Sequence, residues 1–255
     1  MQNRYAKLAA WVYNLDKPVG RSFGDIEYYR MRLAACPRGP ILEPAVGNGR
    51  MLVPLLKDGF PVEGFDASRQ MLDYCIEECS QRRLATDLKL GTFEGFTTEK
   101  RYAAIIIPAG SFQLITDTVA AMAVLRRFHE HLLPNGRLIL DIDPINGFLG
   151  ERVCVRSWTP ADAELLTLTD TPVETDHIAQ TSLSHLRYDH WRNGELIASE
   201  LDLFKLRWWG INELTLALQA AGFADMVVSG GYVHGRAPTK HDEAITIEAC
   251  RSAKP

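Results

Sequence analysis

From residue 40 onward, short apolar runs alternate with longer amphipathic stretches, the pattern of βα units around a largely parallel sheet. PILEPAVGNG (40–49) reads as a strand running into a glycine turn. RMLVPLLKDG (50–59) follows as a helix closed by Gly59, and Pro54, which lacks an amide hydrogen, is expected to bend it or delay its start. PVEGFDAS (61–68) predicts a second strand ending in Asp66, with Ser68 placed to cap a helix that runs through Arg83. DLKLGTF (87–93) is a third short strand. RYAAIIIPAG (101–110) is apolar enough for a strand buried on both faces, and TDTVAAMAVLRRFHEHL (116–132) follows it with helical spacing. PNGRLILDIDP (134–144) is a turn feeding a fifth strand, so five strands run in one sense within little more than a hundred residues.

After residue 150 the texture changes: Thr, Ser, His and Trp become frequent and period-two alternation replaces helical spacing. HIAQTSLSHLRYDHW (177–191) and ELIASELDLFKL (195–206) flank Asn193-Gly194, a two-residue hairpin signal. INELTLALQAAGF (211–223) returns to an amphipathic helix, and ADMVVSG (224–230) and EAITIEAC (243–250) supply two closing strands. The expected organisation is an N-terminal helical cap over 1–35, an α/β core over 36–150, an antiparallel β insert over 151–205, and the remainder of the core over 206–255.

Composition narrows the function classes. The 255 residues carry 28 basic and 32 acidic side chains, and the net charge of -4 argues against nonspecific binding of nucleic acid, which needs a basic patch. The acidity is concentrated, because 151–205 holds 5 basic and 10 acidic residues while the other 200 hold 23 and 22. No apolar run approaches the roughly 18 residues of a membrane span, and the N-terminus mixes charge with apolar residues, so neither membrane insertion nor Sec export is expected. Five cysteines, an odd number in a chain long enough to fold without staples, read as reduced thiols in a cytoplasmic protein. Cys75 and Cys79 lie four apart in a helix with no second Cys/His pair nearby, so zinc is not expected.

A strand, then Gly47-Asn48-Gly49, then a helix with free amides facing the turn, suits a nucleotide-like ligand at the carboxyl ends of parallel strands. Asp66, 17 positions after Gly49, is placed to accept both hydroxyls of a ribose; a plain tight turn with a surface Asp is the bland alternative. A dinucleotide fold wants a third glycine where this chain has Leu52, and Glu43 at the end of the first strand would repel a pyrophosphate. Glu43 would attract a cationic amino-acid tail, so the pattern favours S-adenosylmethionine over NAD.

ILEPAVGNGR followed by VEGFDASRQML, by AAIIIPAGSFQ and by LRRFHEHLLPNGRLILDID resembles the class I S-adenosylmethionine-dependent methyltransferases, whose fold is a Rossmann-like α/β fold with a seven-stranded, mostly parallel sheet and helices on both faces. The resemblance covers roughly residues 25–148. YNLD (13–16), the SFQ after the fourth strand and a β insert before the last helix are similar to small-molecule methyltransferases, including those acting on sugar amines. The resemblance implies that Glu43, Ala45, Gly47 and Gly49 line the methionine and ribose side of the cofactor, that Asp66 holds the ribose, and that Ala67 and Met71 pack near the adenine. It also implies an adenine contact from Thr92 or Phe93, where the family often has an Asp, and backbone contacts from Ile107, Pro108 and Ala109. Met71 has a second reading as a core filler.

Methyl transfer is an in-line displacement, so positioning and exclusion of water supply most of the acceleration, and a base is needed only for a protonated or poor nucleophile. The fourth strand ends in Pro108-Ala109-Gly110-Ser111 without a carboxylate, so no metal is expected. Asp141 and Asp143 share one face of the fifth strand, either to bind a cationic acceptor or to face solvent. The aromatic residues Tyr5, Trp11, Tyr13, Tyr28 and Tyr29 precede the sheet; Tyr13 carries the family-like motif, whereas Trp11, Tyr28 and Tyr29 read more simply as helix core. Gln113 is a candidate to orient the acceptor beside Ser111 and Phe112. His185 and His190 fall on opposite faces of the insert, each a candidate base or a plain strand residue, and His185 joins Tyr13 and Gln113 as the catalytic expectation. The combined expectation is a cytoplasmic enzyme methylating N or O of a small molecule, with an amine favoured by the acidity of the insert. The alternatives are an NAD(P)-dependent oxidoreductase or a non-catalytic S-adenosylmethionine-binding protein. The insert would cap the acceptor or form a homodimer contact, and Trp208-Trp209 reads either as a buried subunit contact or as an anchor for the last helix.

Overall fold

In the computed structural model, which describes residues 5–150 and 152–252, the five apolar runs become parallel strands: β1 (Ile41–Pro44), β2 (Val62–Asp66), β3 (Leu88–Leu90), β4 (Tyr102–Ile107) and β5 (Leu132–Ile142). With β10 (Ala224–Gly230) and β11 (Ile245–Cys250) they form one sheet in the order β10-β11-β5-β4-β1-β2-β3, β11 running antiparallel to both its neighbours. Alternation decides which helices each residue meets. Leu42, Ile105, Ile107, Leu138 and Leu140 point to the side of α5 (Thr118–His131) and α6 (Ile211–Ala220). Ile41, Ala104, Ile106 and Ile139 point to the side of α2 (Asp25–Ala34), α3 (Leu52–Lys57) and α4 (Arg69–Gln81). The chain leaves β1 toward β2 on one side and reaches β4 and β5 on the other, so a crevice opens between β1 and β4 at their carboxyl ends, where such sheets bind ligands.

Local chemistry sets the helix boundaries. Pro54 falls in the first turn of α3, where its missing amide hydrogen has no intrahelical partner to lose. The Ser68 hydroxyl accepts from the Met71 amide and caps α4, and the Asp117 carboxylate does the same for the Ala120 amide at α5.

The insert is a four-stranded antiparallel sheet in the order β6 (Cys154–Trp158), β7 (Glu164–Asp176), β8 (Thr181–Arg192) and β9 (Glu195–Arg207), with β8 and β9 joined at Asn193-Gly194. Residues 177–180 form the β7–β8 turn instead of opening β8, because Asp176 Oδ1 accepts from the Ile178 and Ala179 amides at 2.8 and 2.9 Å. One face of this sheet carries Leu166, Leu168, Leu186 and Tyr188 and packs on Leu8, Ala9 and Val12 of α1 (Lys7–Asp16). The insert therefore reaches the core's crevice with α1 lying against it. Trp208 and Trp209 are buried within the chain, Trp209 against Phe112 at 5.7 Å between ring centroids. No helix of the described residues is long and apolar enough to cross a membrane.

Candidate functional site

The turn after β1 is shaped by backbone that side chains resist. Ala45, Gly47 and Gly49 have φ of 55°, 58° and 84°, in the left-handed region. A Cβ on Gly49 would lie 2.8 Å from Cys75 Sγ and 3.1 Å from Val53, so this glycine lets α4 and α3 close behind the turn. Gly47 faces Met71 at 3.2 Å in the same sense, on the cleft side.

Asp66 ends β2 facing this turn. Its Oδ2 accepts from the Gly47 amide at 2.8 Å and its Oδ1 from the Ser68 amide at 2.7 Å. Burial raises the Asp66 pKa, and the amides of Ser68, Gly47 and Ala67 oppose that shift. Each carboxylate oxygen keeps a further lone pair for a ligand donor. Glu43 is buried at the end of β1; its Oε2 has no hydrogen-bond partner among the described residues, and burial holds its carboxyl well above the usual range, opposed by Arg50.

A cleft of about 470 Å³ opens over these groups, within the size range of small-molecule and cofactor sites. Of the residues expected at the cofactor, Ala45, Gly47, Asp66, Ala67, Met71, Thr92 and Phe93 line it. Glu43, Gly49, Ile107 and Pro108 do not; they are buried or packed beneath it. The sequence reasoning missed Glu94, Leu114, Ile115, Thr116 and Asp117, which follow β3 and β4, and Lys205, which β9 brings in from the insert. The post-strand positions were findable from the rule that ligands meet the loops after parallel strands.

A second cavity of about 300 Å³ adjoins the cleft, and Tyr5, Tyr13, Ser111 and Leu114 line both. Its other walls come from α1 with Asp16 and Lys17, from Gly110 and Asp143 at the sheet, and from Arg156, Asp170, Tyr188 and Phe204 of the insert. Arg156 pairs with Asp16 at 2.9 Å. Lys17 Nζ lies 5.4 Å from the Tyr13 ring centroid; burial, then the nearby Arg50, lowers its pKa. Burial raises the Asp143 pKa, opposed by Lys17. Asp170 Oδ1 is buried without a hydrogen-bond partner among the described residues. Asp143, Asp170, Phe204 and Leu206 also line an outer cavity of about 600 Å³, so the inner pocket continues toward the surface between the insert and the loop after β10.

The three residues expected to be catalytic are placed apart. Tyr13 stands where cleft and pocket meet. Gln113 is fully buried and lines none of these cavities: its Oε1 accepts from the Asp143 amide at 2.8 Å and its Nε2 donates to the Asp143 carbonyl at 3.3 Å, so it fixes the strand end that presents Asp143. His185 alternates with Leu186 and Tyr188 and stands on the face of the insert away from α1 and the pocket, paired with Leu203. His190 is buried edge-on to Trp11 at 5.1 Å. Asp141 and Asp143 also separate: Asp141 is buried, accepting from Thr246, Tyr232 and the Ala109 amide, and only Asp143 reaches a cavity. Tyr28 and Tyr29 belong to the core.

Arg50 and Asn48 tie the turn to the N-terminal segment. Arg50 pairs with the buried Asp25 at 2.5 Å and donates to the Arg21 carbonyl. Asn48 Nδ2 donates to Asn14 Oδ1 at 2.9 Å and to the Lys17 carbonyl at 3.0 Å, holding the end of α1.

Residues 41–136 match a family model described as a methyltransferase domain, which takes away the footing of the oxidoreductase reading of the glycine turn. No protein of curated function matches the sequence. Among solved structures, the CcbJ methyltransferase from Streptomyces caelestis is 20% identical with a TM-score of 0.78, the match covering 98% of this chain and 99% of that one. The sugar N-methyltransferase KedS8 from a Streptoalloteichus species is 16% identical with a TM-score of 0.75, over 95% and 92% of the two chains. CalS10, a SAM-bound amino pentose methyltransferase from Micromonospora echinaspora, is 17% identical with a TM-score of 0.71, over 99% and 100%. Residues 41–136 thus resemble a methyltransferase domain, and the fold shared with these structures extends over nearly the whole chain, insert included.

Proposed function

We propose that this protein transfers a methyl group from S-adenosylmethionine to an amine nitrogen of a small molecule. The observation that carries the reading is the junction: a nucleotide-sized cleft at the β1/β4 switch point and an acid-lined pocket share Tyr5, Tyr13, Ser111 and Leu114. When bound, S-adenosylmethionine supplies a sulfonium methyl open to in-line displacement. The residues present fit that group. Asp66 has open lone pairs for two ribose hydroxyls, and Met71, Thr92 and Phe93 offer a wall for a base. CalS10 is described as SAM-bound, and KedS8 as a sugar N-methyltransferase, which supports both halves of the proposal.

An amine arrives protonated at neutral pH and must lose that proton before its lone pair can attack. Asp143, presented by Gln113 and raised in pKa by burial, holds the ammonium and takes the proton. Asp170 lends a second carboxylate on the opposite wall. Tyr13, at the junction of cleft and pocket, would offer its ring to the positive charge that a sulfonium donor and an amine acceptor bring there and would help keep water out. Once its proton is gone, an amine nitrogen is nucleophile enough to attack without Lewis-acid help.

The test is calorimetric titration with S-adenosylmethionine and S-adenosylhomocysteine, followed by turnover on a panel of primary and secondary amines and matched alcohols. Asp66→Ala is expected to weaken both cofactor forms about a hundredfold, the loss of two charge-assisted hydrogen bonds. Asp143→Asn should spare cofactor binding and lower kcat on amines. No binding by the parent protein would overturn the cofactor assignment, and a preference for alcohols unaffected by Asp143→Asn would overturn the amine.

A further inference from the structure

Helix α1 lacks a cap of its own. Ala6 stands at its N-cap position with no side-chain acceptor, and no acidic residue occupies its first turn. The second and third helical amides are nevertheless satisfied: Glu200, on β9 of the insert, accepts from the Leu8 amide through Oε2 at 2.9 Å and from the Ala9 amide through Oε1 at 3.3 Å. A carboxylate about 190 residues away in sequence thus does what a Ser or Asp at position 6 would do locally, and adds charge at the positive end of the helix dipole. The other end of α1 is held by the glycine turn, through the Asn48 side chain to Asn14 and to the Lys17 carbonyl. Between these clamps α1 carries Tyr13 across the cleft. Just before it, the Tyr5 carbonyl accepts from Ser68 Oγ at 2.7 Å, and the Tyr5 ring meets Phe204 of β9 edge-on at 6.3 Å.

We infer that Glu200 is a positioning residue: by capping α1 from the insert, it fixes Tyr5 and Tyr13 over the cleft and makes closure of the cleft depend on the insert. A cap from within the chain segment would stabilise the helix equally well but would leave its place over the cleft unset. The same strand that carries Glu200 also delivers Phe204 to the inner pocket and Lys205 to the cleft, so one rigid strand registers the cap, the pocket wall and the cleft wall together.

The inference rests on the cleft being the S-adenosylmethionine site, and the experiment separates the two. The dissociation rate of S-adenosylhomocysteine is measured by stopped-flow on the parent protein, Glu200→Ala, Glu200→Gln, and the double variant Ala6→Asp/Glu200→Ala, with melting temperature and amide hydrogen exchange at Leu8 and Ala9 alongside. Failure of the parent protein to bind would count against the cofactor assignment itself and so remove the basis of the inference. If the parent binds, Glu200→Ala is expected to release the ligand about tenfold faster, the loss of a cap expressed as a rate. Glu200→Gln keeps the side-chain shape but puts an amide NH2 against one of the two helix amides, and should fall between. In the double variant the local cap should restore the melting temperature and the protection of the two amides while dissociation stays fast. Unchanged dissociation in Glu200→Ala, or slow dissociation regained by Ala6→Asp, would overturn the inference, the latter by reducing Glu200 to an ordinary helix cap.

Discussion

Burial pushes the Asp141 carboxyl up to about 6 even though it accepts from Thr246 Oγ1 at 2.8 Å, from the Ala109 amide at 3.1 Å and from the Tyr232 hydroxyl at 3.1 Å. The raised value means that the folded chain holds a proton there which the unfolded chain, with an ordinary Asp near 3.9, has released. The stabilising contribution is therefore complete below about pH 4 and is lost as pH rises through about 6, amounting to roughly 3 kcal/mol for a shift of two pKa units. Urea denaturation of the parent protein and Asp141→Asn across pH 4 to 7 should show this slope in the difference between them, and parallel curves would remove the assignment. Single residues were read unevenly from the sequence. Asp66 was legible because a strand end, a glycine turn and a fixed spacing point to one place. Gln113 and His185 were not, because their roles depend on side-chain direction: Gln113 turns down onto the Asp143 backbone, and the register of the insert sends His185 to its far face. Asp141 and Asp143 read as sharing a strand face, but β5 ends at Ile142, so Asp143 lies past the strand while the β11 partner Thr246 and the loop residue Tyr232 claim Asp141.

Elements are joined by buried ion pairs as well as by apolar faces, and the clearest is Glu248 of β11. It accepts from Arg32 of α2 at 2.7 and 3.0 Å and from Arg137 of β5 at 2.5 Å, with its own side chain 4% exposed. Glu248→Ala leaves two partly buried guanidiniums facing each other, a change that costs about 3 kcal/mol when a buried pair loses one partner. A fall in the urea midpoint of that order is expected, with S-adenosylhomocysteine affinity unchanged, because these residues lie outside all three cavities. Loss of affinity in step with stability would mean that α2 is coupled to the cleft. At this scale the βα units were legible because period-two and period-3.6 patterns are local. The pairing of α1 with the insert was not: Leu8, Ala9 and Val12 and their partners Leu166, Leu168, Leu186 and Tyr188 read as two unrelated amphipathic faces until the fold brings them together. The same holds for Glu200, one acid among ten in the insert.

The walls of the cleft come from three parts of the chain: the β1–β4 half of the sheet, the N-terminal segment with Tyr5 and Tyr13, and the insert through Lys205. A ligand there binds the assembled molecule and has no comparable site in the unfolded chain, so its affinity adds to folding stability by mass action. At a hundred times its dissociation constant, a single-site ligand contributes about 2.7 kcal/mol, and for a chain of this size that corresponds to a rise in Tm of about 5–10 °C. S-adenosylhomocysteine filling the cleft should produce this shift as one cooperative transition, since the cleft is walled by core, α1 and insert together. NADH at the same concentration should produce none, because Leu52 occupies the position after the glycine turn where dinucleotide folds need glycine. Differential scanning calorimetry resolves the outcomes. A single transition moved upward supports one ligand-bridged unit, whereas a core transition that rises while a separate one stays fixed would mean that the insert closes over the cleft without sharing in the binding energy.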